Sequence, residues 1–128
     1  MLVGLRFGSN DLEKSRAFYD ATFAALGVTP TELPAEYAML LYDLPGGARF
    51  ICGAARDGQP ATHANGGTAI FAAPDDEAVA KWHAAGLANG GVCEGMPEPK
   101  PQVGGAMGAY LRDPDGNKLG VYHGLSRG

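Results

Sequence analysis

Residues 113–120 read Asp113-Pro114-Asp115-Gly116-Asn117-Lys118-Leu119-Gly120, and this stretch carries the strongest structural signal in the chain. Pro114 fixes its own φ and Gly116 can adopt a positive φ, so the residues favour a tight turn. Lys118 to Tyr122 then reads as a short strand. The stretch therefore predicts a closing hairpin whose second strand carries a glycine, Gly120, in place of a side chain.

The two halves of the chain repeat one pattern at an offset of 64 residues. The matched positions hold residues of the same kind: Phe7 with Phe71, Asp11 with Asp75, and Phe18 with Trp82. In each half a short strand precedes a polar helix start and a helical apolar period. We therefore expect an α+β fold of two βαβββ copies: module one over residues 1–53, a linker over 54–66 and module two over 67–124.

Within the modules, turn and cap residues indicate where elements begin and end. Asn10 or Asp11 is expected to cap the first helix, and Asp75 or Asp76 the second. A segment near Val28–Glu32 is expected to supply a strand of module one. Residues 96–105 contain three prolines and are expected to lie outside the sheet, as a surface connection or a loop over a cavity.

The opening and the closing motifs together resemble the glyoxalase, bleomycin-resistance and extradiol-dioxygenase superfamily, also called vicinal oxygen chelate proteins. The opening motif is Asn10-Asp11-Leu12 followed by Phe18-Tyr19, and the closing motif is the run at 113–120. The resemblance covers nearly the whole chain. It implies two βαβββ modules that form a curved, half-barrel mixed sheet, and in many members a divalent metal on the concave side.

The same resemblance implies where metal ligands would stand, on the first and last strand of each module. The matching positions here are Gly4, Thr68, Gly120 and approximately Ile51, and Gly120 replaces the glutamate of the family motif. Divalent metals of this class need imidazole or carboxylate donors, which these residues do not offer. We therefore expect no metal and no cofactor, and the two glycines are expected to widen the cavity.

Strand alternation indicates which side chains face that cavity, because neighbouring residues point to opposite faces. If Gly4 faces inward, so does Arg6, whereas Leu5 and Phe7 pack on the helix. Arginine binds carboxylate or phosphate bidentately, so Arg6 and Arg49 are the first candidates for anchoring an anion. The alternative is that both pair with nearby acidic side chains. The full candidate ligand-binding set is Arg6, Arg49, Thr68, Ile70, Tyr110, Lys118 and Tyr122.

Composition narrows the class of partner. The chain has 128 residues, ten Lys and Arg, and a formal net charge of −4, so we expect no nucleic-acid partner. No apolar run approaches the roughly 20 residues that span a bilayer. The sequence from Met1 to Arg6 does not resemble a secretory signal, so a cytoplasmic location is expected. Cys52 and Cys93 lack CxxC spacing, and both are expected to be buried apolar residues.

Three possible functions are consistent with these residues. The first is a metal-free protein that binds a small organic molecule, with anions among the candidates, in a dimer cavity; bleomycin itself would favour an acidic cleft, which the cations oppose. The second is a glyoxalase-like lyase or other enzyme that uses Tyr110, Tyr122 or His63 as acid or base, or that has an atypical metal site. The third is a role in assembly alone, with the cavity collapsed. A homodimer is expected under all three, because the fold leaves strand edges that a partner covers.

Overall fold

The computed structural model describes residues 1–125. Within them the strands are β1 (Gly4–Gly8), β2 (Met39–Asp43), β3 (Arg49–Gly53), β4 (Thr68–Ala72), β5 (Val92–Lys100), β6 (Ala106–Arg112) and β7 (Lys118–His123). The helices are α1 (Leu12–Ala25) and α2 (Asp76–Ala88), and single 3-10 turns occur at Ala35–Tyr37 and Pro101–Val103. Neither α-helix combines the length and the apolar character that a membrane crossing requires.

The internal repeat predicted from the sequence is present in the elements themselves. Each helix begins after an aspartate whose side chain accepts a backbone hydrogen bond: Asp11 from Lys14 and Asp75 from Ala78. These are N-caps of the usual kind, which satisfy a free amide of the first turn. The two open alternatives for the helix starts are therefore resolved in favour of Asp11 and Asp75.

Two mixed sheets carry the strands, in the orders β1-β3-β2 and β4-β7-β6-β5. In each module the first strand runs parallel to the last one: Gly4 is opposite Arg49, and Thr68 is opposite Lys118. The remaining neighbours in each sheet are antiparallel. The α+β class and the mixed-sheet, two-module arrangement are confirmed.

Module one has one strand fewer than expected. The segment 29–34 contains no strand, although the amide of Thr31 donates to the carbonyl of Leu41 at 2.8 Å. Pro30 and Pro34 lack amide hydrogens, so a continuous ladder along this segment is not available. The prediction of a strand near Val28–Glu32 is therefore wrong.

The proline-rich segment 96–105 of module two also differs from the prediction that it lies outside the sheet. β5 continues to Lys100 through Pro97 and Pro99, with Glu98 opposite Gly108 and Pro99 opposite Met107. β5 is the edge strand of its sheet, where a residue without an amide hydrogen can face solvent. The first half of the segment, residues 96–100, therefore belongs to the sheet, and only residues 101–105 lie outside it.

The core lies between the helices and one face of the strands. Phe18, Phe23, Phe50 and Trp82 are at most 2% exposed. The rings of Phe23 and Phe71 meet with centroids 5.2 Å apart, which joins module one to module two. Leu5 and Phe7 pack against this core, as predicted, and the alternating strand residues point to the opposite side. We call that side the helix-free face.

The turn at 113–117 also joins the modules. Asp113 is 2% exposed, and its carboxylate accepts hydrogen bonds from Tyr19 Oη at 2.5 Å and from Asn117 Nδ2 at 2.9 Å. It also accepts from the backbone amides of Asp115 and Asn117, each at 2.9 Å. Burial raises the pKa of Asp113, although these four donors act in the opposite direction. The turn at residues 113–117 is therefore a buried polar link between the halves of the chain.

Candidate functional site

The candidate site is a cavity of about 550 Å³ between the two sheets. We call it the inter-sheet cavity. β1 contributes Arg6 and Gly8, β4 contributes Thr68 and Ile70, and Lys118 begins the strand β7. Linker residues, including Thr62 and Ala64, and Asn117 of the turn complete part of its lining. Modules one and two thus both contribute to one concave site.

Two cations, Arg6 and Lys118, line this cavity. Arg6 donates from Nη2 to the carbonyl of Ala54 at 2.7 Å, which orients the guanidinium and leaves further N–H groups free. Lys118 Nζ lies 5.2 Å from the ring centroid of Tyr110, a cation–π distance. Across residues 1–125, neither Arg6 nor Lys118 forms an ion pair.

The structure brings together four of the seven predicted site residues in this cavity: Arg6, Thr68, Ile70 and Lys118. Arg49 lies apart from them. Its Nε is 2.8 Å from Asp43 Oδ1 in an exposed ion pair, and it borders an adjoining, mostly apolar cavity of about 350 Å³ that shares Leu2, Leu5 and Ile70 with the inter-sheet cavity. The alternative in which an arginine pairs with a nearby acid thus describes Arg49 but not Arg6.

Tyr110 and Tyr122 form a pair on β6 and β7, outside the residues that line the cavity. Their hydroxyl oxygens are 2.6 Å apart, and their rings meet edge to face with centroids 5.8 Å apart. Each tyrosine stands opposite a glycine of the neighbouring strand: Tyr110 opposite Gly120, and Tyr122 opposite Gly108. The pair is therefore fixed by ring packing and by a hydrogen bond.

The space above Gly120 is occupied by the Tyr110 ring. A Cβ atom built on Gly120 would lie 2.7 Å from Tyr110 Cε1, and one built on Gly108 would lie 2.4 Å from Tyr122 Cε1. Both glycines are needed because the rings approach the backbone so closely. The expectation that Gly120 widens the cavity is wrong: the volume that a side chain would fill there is taken by Tyr110.

Tyr122 is held in its protonated form. Burial, and next the hydrogen bond to Tyr110, raise the pKa of Tyr122 to about 12. A phenol with this pKa keeps its proton at neutral pH, so Tyr122 can donate a hydrogen bond there but has no free phenolate that could accept a proton. The pair is suited to holding a fixed orientation more than to removing a proton from a substrate.

The four positions that correspond to family metal ligands do not form a metal site. Gly4 and Gly120 have no side chain, Ile51 is aliphatic, and Thr68 offers a neutral hydroxyl. Among residues 1–125, no group of three or more His, Cys, Asp and Glu side chains is placed to hold an ion. The donor chemistry therefore does not fit the divalent metals of this class.

The histidines lie outside the inter-sheet cavity. The imidazole of His63 packs against the turn, so that a Cβ on Gly116 would be 2.8 Å from His63 Nδ1. His123 Nδ1 is 2.7 Å from Asp76 Oδ1. His83 is 4% exposed, and its Nε2 lies 3.1 Å from the Sγ of Cys93.

Cys93 itself is exposed, so the prediction that both cysteines are buried holds for Cys52 and is wrong for Cys93. Sequence reasoning missed the contact between Cys93 and His83. The two residues belong to different elements, and nothing in the local pattern of either element indicates that they meet.

Comparisons with known proteins agree with the observed fold. A family model described as the Glyoxalase/Bleomycin resistance protein/Dioxygenase superfamily matches residues 5–121. A glyoxalase/bleomycin resistance protein from Albidiferax ferrireducens T118 is 41% identical, with a TM-score of 0.84 over 96% of this chain and 98% of that one. No curated protein matches the chain.

More distant solved structures share the fold alone. A glyoxalase-related enzyme from Fulvimarina pelagi is 20% identical, with a TM-score of 0.75 over 96% of this chain and 87% of that one. Lactoylglutathione lyase from Agrobacterium tumefaciens is 24% identical, with a TM-score of 0.65 over 100% of this chain and 96% of that one. The family match over residues 5–121 and the shared architecture lead to one conclusion: this chain belongs to the glyoxalase/bleomycin resistance protein/dioxygenase superfamily.

Proposed function

We propose that this protein binds a small anionic organic molecule in the inter-sheet cavity without a metal ion. The observation that carries the proposal is the pair of cations, Arg6 and Lys118, which line one cavity and form no ion pair within residues 1–125. A carboxylate or phosphate group would neutralise them, and Arg6 retains donors in the planar arrangement that suits such groups.

The rest of the lining suits the organic part of such a ligand. A volume of about 550 Å³ lies in the usual range for small-molecule sites. Ile70 is 52% exposed and offers an apolar wall, whereas Thr68 and Asn117 offer polar groups for orientation. An apolar wall with a few polar groups is the usual composition of a ligand cavity.

Enzymatic acid–base chemistry is the alternative function, and the structure gives it less support. Tyr110 and Tyr122 are bonded to each other, and the raised pKa of Tyr122 makes it a poor base at neutral pH. The likeness to lactoylglutathione lyase concerns the fold, and the metal-ligand positions of this chain carry no suitable donors. Binding without turnover is therefore the function that the site supports best.

The test is calorimetric titration with phenyl phosphate and benzoate as anionic probes and benzyl alcohol as the neutral one. Arg6→Gln and Lys118→Gln are each expected to weaken phenyl phosphate binding about tenfold, because a hydrogen bond to a charged group contributes roughly 1.5–3 kcal/mol. Arg49→Gln removes the same charge outside the inter-sheet cavity and is the matched control, with affinity expected within about twofold of the parent chain.

Two results would refute this proposal. One is unchanged phenyl phosphate binding in the double variant Arg6→Gln with Lys118→Gln. The other is benzyl alcohol binding as tightly as the anions, which would mean that the cavity selects ring shape and not charge.

We also propose that the protein acts as a homodimer whose second copy covers this region. Leu2 is 64% exposed and borders the inter-sheet cavity, Val3 is 75% exposed, and Ile70 is 52% exposed. Exposed apolar side chains that lie together commonly mark an interface. Light scattering after size-exclusion chromatography is expected to give twice the chain mass. The mass of a single chain at every concentration tested would contradict the dimer.

A further inference from the structure

Three potential metal donors with soft or intermediate character meet at the edge strand β5. Cys93 Sγ lies 3.1 Å from His83 Nε2 and 3.8 Å from Met96 Sδ. None of the three residues lines the inter-sheet cavity. His83 comes from α2, and the other two come from one strand, so the cluster joins two elements of module two.

A bulged strand brings Cys93 and Met96 to one side. Residues three apart in a regular strand point to opposite faces. Along β5, however, the register with β6 shifts twice: Cys93, Gly95 and Glu98 are opposite Leu111, Tyr110 and Gly108, so β5 has one extra residue on each side of Gly95. These two irregularities interrupt the alternation around Met96, and bulges re-aim side chains in this way. The two sulfur atoms thereby come within reach of each other.

The separations of these donors are close to those around a shared ion. Metal–sulfur bonds of about 2.3 Å and metal–nitrogen bonds of about 2.0 Å place two donors about 3.6–4.0 Å apart. The two sulfurs already have this separation, and the imidazole needs to move by about half an ångström. Cys93 is exposed and Met96 is 60% exposed, so an ion can enter from solvent, whereas His83 is held in the protein surface at 4% exposure.

From this geometry we infer that His83, Cys93 and Met96 form a binding site for monovalent copper. Thiolate and thioether ligands select Cu(I), and imidazole is also a copper ligand. Binding replaces the thiol proton of Cys93 with the metal, so one proton is released and no electron is transferred when copper enters as Cu(I). A cysteine beside a histidine can also act as a nucleophile, with the imidazole taking the thiol proton. The thioether of Met96 would contribute nothing to that proton transfer, whereas it is a suitable ligand for copper.

The surrounding charges favour a monovalent ion over a divalent one. Lys100 Nζ donates to the carbonyl of Met96 at 2.9 Å, which places an ammonium beside the cluster, and Glu98 lies 3.3 Å from that ammonium. The site offers one anionic donor, the Cys93 thiolate. Cu(I) would leave the ligand set neutral, whereas Zn²⁺ would leave a positive charge next to Lys100.

The experiment is an anaerobic titration of Cu(I) into the reduced full chain, with bicinchoninate as competing chelator. The chain is expected to withdraw one Cu(I), and X-ray absorption is expected to report two sulfur ligands and one nitrogen ligand. Cys93→Ser should weaken binding at least about 100-fold, and Met96→Leu and His83→Gln about tenfold each. Met107→Leu and His63→Gln are matched controls that should bind as the parent chain does.

Several results would overturn the site. Copper binding that survives in Cys93→Ser would place the ion elsewhere, for instance on Cys52, which remains in that variant. Equal binding by the parent chain, Met96→Leu and His83→Gln would reduce the site to a single thiol. Tighter binding of Zn²⁺ than of Cu(I) would contradict the selectivity. Because the absorption spectrum is measured on the parent chain, it decides the ligand set even if His83→Gln folds poorly.

Discussion

Replacement of Asp113 by alanine is expected to lower the free energy of unfolding by about 3–5 kcal/mol. The substitution leaves the buried Tyr19 hydroxyl without an acceptor and removes one of the two acceptors of the Asn117 amide, whose other acceptor is the carbonyl of Gly8; each unsatisfied buried donor costs about 1–3 kcal/mol. Two backbone amides of the turn lose their acceptor as well. Since small domains are stable by about 5–15 kcal/mol, this is a large fraction. Urea unfolding at pH 7 measures the effect.

Two milder variants locate the cause of that loss. Asp113→Asn keeps an oxygen that can accept from the backbone amides, but it presents an amide to Tyr19 and Asn117, so an intermediate loss is expected. Tyr19→Phe removes one donor together with its need for an acceptor and is expected to cost about 1 kcal/mol. A loss below about 1 kcal/mol for Asp113→Ala would contradict the interpretation of Asp113 as the polar link between the modules.

Replacement of Gly120 by alanine is expected to destabilise the fold by about 1–3 kcal/mol, the usual cost of forcing extra volume into a packed site. The new Cβ would lie 2.7 Å from the ring of Tyr110. That ring cannot move away freely, because Gly95 packs on it and its hydroxyl is bonded to Tyr122. Thermal or urea unfolding of the single variant gives the magnitude.

A double-mutant cycle tests the mechanism. In a Tyr110→Ala background the clash is absent, and Gly120→Ala should be neutral or stabilising by about 0.5 kcal/mol, because alanine costs less backbone entropy than glycine. The same penalty in both backgrounds would mean that the Tyr110 ring is not the reason why residue 120 must be a glycine.

Gly120→Glu, which introduces the glutamate of the family motif, is expected to create no metal site, since Gly4, Ile51 and Thr68 supply no partner ligand.

Local patterns predicted most of the architecture. Capping residues reduced each helix start to two candidates, because capping depends on a few consecutive residues, and the structure has Asp11 and Asp75 as the N-caps. Alternation assigned Arg6 and Leu5 to opposite faces because side chains in a strand have a fixed period. The same reasoning placed Arg49 and Tyr122 on the cavity side together with Arg6, Thr68, Ile70 and Lys118. Only the last four of these line the inter-sheet cavity, and Leu5 and Phe7 contribute to it as well.

Features that depend on pairing between distant segments were not predictable in this way. Prolines in β5 are tolerated because that strand is an edge, and strand order is not contained in the local sequence. The bulge that brings Met96 to Cys93 depends on the register with β6. The filling of the space above Gly120 by Tyr110 depends on a cross-strand pair. These features required knowledge of a partner strand, whereas the strand wrongly predicted near Val28–Glu32 is disfavoured by the local residues Pro30 and Pro34.

The central claim is that the inter-sheet cavity binds an anion without a metal. The most direct measurement is calorimetric titration of phenyl phosphate into chelator-treated protein, before and after one equivalent of Ni²⁺, Zn²⁺ or Mn²⁺ is added. The Cys93→Ser chain is used so that the surface cluster does not take up the ions. We predict one binding event per chain with an affinity that the metals change by less than about twofold. Binding that occurs only after a metal is added would contradict the account.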